Sequence, residues 1–154
     1  MARRWPLVPD PKHPESQDHP HHSGLWFAHG DVRLEGEPSQ ADFWHKDRIV
    51  HQGFVDYEGN ATKDTLVADN QWIRKDGKVL ATDRTRIQFG QSEDGRWIDY
   101  TIEISAPDDH ALILGDTKEG TMALRVVEEL ALETNDKKLR HLSSGKITNS
   151  EGHT

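Results

Sequence analysis

The sequence predicts an all-β protein built as an antiparallel β-sandwich. Three observations carry this. Residues 96–105 alternate cleanly, with Ile98, Tyr100, Ile102 and Ile104 on one face and Asp99, Thr101 and Glu103 on the other, the mark of a half-buried strand. Asp76-Gly77 stands between the apolar pairs Trp72-Ile73 and Val79-Leu80, a strong short-range hairpin signal. Turn-forming clusters recur between β-branched and aromatic runs from Arg48 to Val127.

Taken in order, residues 1–23 carry five of the seven prolines (Pro6, Pro9, Pro11, Pro14 and Pro20), which excludes a helix or a central strand. An extended arm is expected there, leading into a short buried strand over Gly24–His29. Residues Arg33–Ala41, with Gly36 and Pro38, read as a polar loop. Arg48–Tyr57 and Thr65–Arg74 read as strands separated by the turn Glu58-Gly59-Asn60. In Lys78–Phe89 one face holds Val79, Ala81, Thr85, Ile87 and Phe89, with Asp83 as the exception. Glu93-Asp94-Gly95 turns the chain into Arg96–Ser105, so these two segments are expected to pair antiparallel. Ala111–Leu114 and Thr121–Val127 are shorter strands, and Val126–Glu133 is read as a strand end although Val126 and Leu130 also fit helical spacing. The tail from Asn135 to Thr154 is polar. The whole is a meander of strands within one domain, 1–154.

Composition narrows the function. The chain has 154 residues, 33% hydrophobic and 30% charged, with five Trp to enrich a lean core. Its formal net charge of −8 argues against nucleic-acid binding, which needs a basic surface to displace counterions. No apolar stretch approaches the roughly 20 residues that span a bilayer, and no basic amphipathic helix suggests a membrane surface. Two arginines near the start have no apolar segment behind them, so no signal peptide is read. With no cysteine there are no disulfides or thiolate metal sites, which fits a cytoplasmic protein.

Chemistry concentrates in the first third. Seven of the ten histidines lie within residues 1–51, five of them in the run Asp18-His19-Pro20-His21-His22, then His29-Gly30-Asp31, then Asp42-Phe43-Trp44-His45. Imidazole is the ordinary neutral-pH acid–base group and the commonest metal ligand. In extended chain His19 and His21 point to one side. They could share a transition metal with His29 or Asp31 from the following strand, of the Zn, Fe or Mn type bound by nitrogen and oxygen, since no sulfur ligand is available. The alternatives are a metal-free polar site and histidines that merely cap loops. A metal-free site is preferred, and no cofactor is expected. His13, His110, His141 and His153 read as exposed. Gly115-Asp116-Thr117-Lys118-Glu119-Gly120 sets two carboxylates and a lysine between glycines, either a ligand-approaching loop or an ordinary polar hairpin. Trp26, Trp44, Trp72 and Trp97 are expected in the core, with Trp26 and Trp44 the two placed to stack on a sugar ring.

The string from Asp18 to Val32, followed by Asp42-Phe43-Trp44-His45, Gly115–Thr121 and Asn149-Ser150-Glu151-Gly152, resembles a bacterial PmoA-like family of unknown function, often labelled "methane oxygenase PmoA". The resemblance runs from about Trp5 to the last residue. The membrane subunit of that name is built of transmembrane helices, and this chain has none, so methane oxidation is discounted. The resemblance implies a β-sandwich of the galactose-mutarotase type and a role in carbohydrate metabolism. Such family members begin with further strands and continue past the Asn149–Gly152 motif, so the chain is expected to be a fragment incomplete at both ends, prone to self-association through exposed edges. The tighter connection expected before Asp42 is replaced by the insertion-like loop Arg33–Ala41.

The first functional expectation is therefore a carbohydrate-active protein using His and carboxylate acid–base chemistry, as in an epimerase, lyase or hydrolase. His21 and His29 are the acid–base candidates and Asp31 their orienting partner. Lys118 and Glu119 face the sugar, and His22, Trp26, Asp42, Trp44 and Glu151 are substrate contacts. The second is a non-catalytic carbohydrate- or protein-binding sandwich, and the third a metal-dependent oxygenase. One concave patch is expected to hold His21, His29, Asp31 and Asp42.

Overall fold

A computed structural model describes residues 24–38, 40–59, 63–107, 109–124, 144–146, 148 and 151–152. Among these there are eight strands and no helix. They are β1 (Leu25–His29), β2 (Val32–Leu34), β3 (Arg48–Gly59), β4 (Lys63–Ile73), β5 (Val79–Ser92), β6 (Gly95–Ser105), β7 (Leu112–Leu114) and β8 (Gly120–Leu124). The fold is all-β and antiparallel, as expected. Contacts divide the described residues between two compact units, those of 28–120 and those within 1–27 and 121–154, and each is described by itself.

The larger unit is organised by a four-stranded meander in the order β3-β4-β5-β6. The expected pairing of the segments around Lys78–Phe89 and Arg96–Ser105 is present, from Thr82↔Ser105 to Ser92↔Gly95, with Glu93-Asp94 as the turn. The Asp76-Gly77 hairpin also forms. Gly77 has φ +90°, a conformation that costs a residue with a Cβ, and its N–H donates to the Arg74 carbonyl at 2.8 Å. The Lys78 N–H is received by the Asp76 carboxylate at 3.0 Å.

One face of the meander carries its core. Trp72 is fully buried, with the Phe43 ring 4.9 Å away and tilted by 60°. Val32, Leu34, Ala41, Leu80 and Ala81 are buried as well. The exception noted at Asp83 is explained here. Its carboxylate is buried among the apolar residues because three donors converge on it, Trp72 Nε1 at 2.7 Å, Asn70 Nδ2 at 2.8 Å and Thr85 Oγ1 at 2.8 Å. A buried carboxylate is tolerated when its lone pairs are filled in this way.

Two expectations are corrected. Residues 33–41 are not one loop: Val32–Leu34 form β2, and Val32 pairs with Ala41 through hydrogen bonds of 2.7 and 3.0 Å. Leu34, apolar and 1% exposed, is what the turn residues around it concealed. Trp97 is not in the core but 41% exposed. The readings for the Pro-rich arm, for Val126–Glu133 and for most of the tail lie outside the described residues.

Candidate functional site

Three of the motifs singled out in the sequence meet around His29. β2 pairs with β7 in the register Val32↔Leu114 to Leu34↔Leu112, and β1 pairs with β8. Between these ladders, residues 115–119 face only Gly30 and Asp31. The Gly30 N–H donates to the Glu119 carbonyl at 2.9 Å, and the Gly115 N–H to the Asp31 carbonyl at 2.8 Å. The segment Gly115–Gly120 is thus a bulged loop set into a long-range ladder and not a local hairpin. Such interruptions re-aim side chains and often stand beside functional sites.

The glycines record how closely the strands approach. A Cβ on Gly115 would collide with the Asp31 carboxylate. One on Gly120 would stand 2.7 Å from His29 Nδ1, and one on Gly30 would lie 3.0 Å from Thr117 Oγ1 and 3.2 Å from Glu119 Cβ. Only a hydrogen fits at the first two positions.

His29 sits at the centre of this junction, 7% exposed. Its carbonyl accepts from the Phe43 N–H at 3.0 Å, and its Nε2 is 2.9 Å from the Gly115 carbonyl. A carbonyl oxygen only accepts, so Nε2 carries the proton in this contact. Nδ1 is buried without a hydrogen-bond partner and lies against Gly120. Asp31 is held by Arg33, whose Nη1 reaches its two oxygens at 3.0 and 3.2 Å.

Asp42 caps the tight turn over residues 43–46. Its Oδ1 accepts from the N–H groups of Trp44 (3.1 Å) and His45 (3.0 Å), and the His45 ring and Lys46 ammonium stand 3.2 and 3.6 Å from Oδ2. Burial works to raise the pKa of this carboxyl, but the hydrogen bonds and charge from His45, with the Trp44 N–H, outweigh it and hold it below the ordinary value. Lys118 is exposed, and its Nζ pairs with Glu119 Oε1 at 2.9 Å, which raises the lysine pKa. Trp44 is half-buried. Trp26, half-buried, and Glu151, exposed, belong to the other unit. His19, His21 and His22 lie outside the described residues; of the other members of the expected patch, His29 is buried, Asp31 is tied to Arg33, and Asp42 lines the cleft described next.

Next to the junction a cleft of about 380 Å³ opens, with Gly30 and Ala41 among its lining residues. Asp42, Asp47 and Asp76 line it together with Lys46, Arg74, Lys75 and Gln40, whose Nε2 is 3.5 Å from the Gly30 carbonyl. Asp47 ties its walls together, one oxygen accepting from Asp42 N–H and the other from Lys75 N–H, both at 2.7 Å. Arg74 is shared by Asp76 (2.7 Å) and Glu37 (3.1 Å), and the latter also pairs with Lys78. The Asp76 carboxyl is drawn down to about 2, first by the Arg74 hydrogen bond and then by the Lys78 N–H. Sequence reading missed these cleft residues, apart from Asp42, because residues 40–47 and 74–76 come together only through packing on the meander.

As to metals, no group of three or more His, Asp or Glu able to hold an ion occurs among the described residues. His29 offers one free nitrogen with Gly120 packed against it, and this does not fit a metal centre by itself.

The fold and site define an all-β antiparallel protein with a polar, charge-balanced cleft beside an interlocked motif junction. The chain belongs to a protein family of unknown function, DUF6807, whose match covers residues 8–154. No curated protein and no solved structure matches it. No helix among the described residues is long and apolar enough to cross a membrane.

Proposed function

We propose that this protein is a carbohydrate-binding β-protein that holds a neutral sugar in the cleft between Asp42 and Asp76. The observation that carries this reading is the charge balance of the cleft. Three carboxylates face three cations there, in a chain whose net charge is −8. A phosphate or a polyanion would meet the carboxylates, and a cation would meet the lysines and Arg74. A neutral polyhydroxylated molecule meets no net field, and each hydroxyl both donates and accepts. The resemblance to PmoA-like proteins, with its implied sandwich and carbohydrate setting, points the same way by analogy.

Binding is favoured over catalysis by His29. A general base needs a nitrogen within reach of a substrate proton, whereas His29 is buried, with one nitrogen on Gly115 and the other behind Gly120. Its role in this reading is to lock the three motifs together. Acid–base turnover is the second reading, favoured by one feature: the pair of exposed Lys118 with half-buried Glu119 on the bulged loop.

Calorimetric titration with neutral oligosaccharides tests the proposal. Binding weakened by Gln40→Ala and by Lys75→Ala, with an unchanged melting curve, is the expected result. Absence of binding to any neutral glycan, or preferential binding of sugar phosphates, would overturn it.

A further inference from the structure

We infer that the solvent face of the meander is a second glycan-contacting surface, which binds an extended neutral chain with Trp97 as its stacking platform. This rests on the carbohydrate reading above and specifies a linear oligosaccharide as the ligand. Gly90 is paired with Trp97, and a Cβ on Gly90 would run into the benzo edge of the indole. The missing side chain therefore lets the ring settle on the β5 backbone, while Trp97 remains 41% exposed. A half-exposed indole seated on backbone is a rigid apolar plate with little entropy to lose on stacking.

Register fixes what lies along the same face. Every second residue of β6 from Trp97 points the same way, giving Asp99, Thr101, Glu103 and Ser105. Next to Trp97, the Gln88 side chain is buried and donates to Thr65 at 3.2 Å while accepting from Arg86 at 2.9 Å, which makes a fixed polar floor. At the far end, Arg84 is held in a two-point bond to Asp69, 2.8 and 2.9 Å, with Glu103 beside it in register. These three residues line a cleft of about 490 Å³. From Trp97 to Glu103 is six residues, or about 20 Å of strand. A stacking plate at one end, hydroxyl-binding groups at the other and a polar floor between them suit a chain of several sugar units and exceed the needs of a single sugar.

The test is calorimetry with short and long members of neutral linear oligosaccharide series, on the wild-type chain and on Trp97→Ala, Trp97→Phe, Glu103→Gln and Gln40→Ala. Affinity is expected to rise with chain length. Trp97→Ala should weaken the long ligands by roughly tenfold and the short ones little, with Trp97→Phe in between. Should Trp97→Ala fail to melt cooperatively, Trp97→Phe and Glu103→Gln decide the matter, each expected to flatten the length dependence. Binding that is independent of length and of both residues, yet lost in Gln40→Ala, would overturn this inference and leave the carbohydrate reading standing. No binding by the wild-type chain would overturn both.

Discussion

Trp72 donates its indole N–H to the buried carboxylate of Asp83 at 2.7 Å, across the β4–β5 ladder. Asn70 and Thr85 fill the other oxygen, so the carboxylate is the hub of a closed network within an apolar layer. Asp83→Ala would leave three donors without an acceptor and is expected to cost at least about 3 kcal/mol in urea unfolding. Trp72→Phe keeps an aromatic ring but removes one donor, with an expected cost of about 1–3 kcal/mol. Because the two residues share one bond, the double variant should be less destabilised than the sum. Strict additivity would show that the bond contributes nothing.

A second prediction concerns the glycines of the junction. Gly120→Ala places a methyl group 2.7 Å from His29 Nδ1, and strain of about 1–3 kcal/mol is expected. In a His29→Ala background the same substitution should cost much less, since the obstructing ring is gone. Thermal melts of the four proteins measure this coupling. An equal cost in both backgrounds would mean that His29 does not pack against Gly120.

Acid titration provides a third. The Arg74 guanidinium and the Lys78 N–H hold the Asp76 carboxyl at about 2, against an ordinary value of 3.8. The folded value is the lower one, so the stabilisation is complete above the unfolded value and is lost as the pH falls from 3.8 to about 2. Carboxyl NMR should place the Asp76 midpoint near the lower figure, and Arg74→Ala should return it towards the ordinary one. An unshifted midpoint in the wild-type chain would contradict the geometry of the Arg74–Asp76 pair.

Much of the meander was legible in the sequence because one face is apolar and the other polar, so periodicity alone gives the strand and its two faces for residues 96–105. The same alternation already put Trp97 on the face opposite Ile98, and the general habit of tryptophan to be buried concealed that. Asp83 stood out as an anomaly, but its donors Asn70 and Trp72 lie on the neighbouring strand, and no spacing along the chain shows them. The pairing of β2 with β7 joins Val32 to Leu114, too distant in sequence for local pattern to reveal. That pairing carries Gly115–Gly120 onto His29, and so the motifs could be named from sequence while their meeting could not. The cleft was the least legible, since Asp47, Lys75 and Asp76 look like ordinary turn and surface residues until packing gathers them.

Ligand-observed NMR of neutral oligosaccharides incubated with the purified protein tests binding without turnover in one measurement. Binding without turnover is expected to give broadened or saturation-transferred sugar resonances whose anomeric signals keep their positions and intensities, with the effect reduced by Gln40→Ala. New anomeric signals that grow with time would show turnover and contradict it. Sugar spectra wholly unaffected by the protein would contradict it as well.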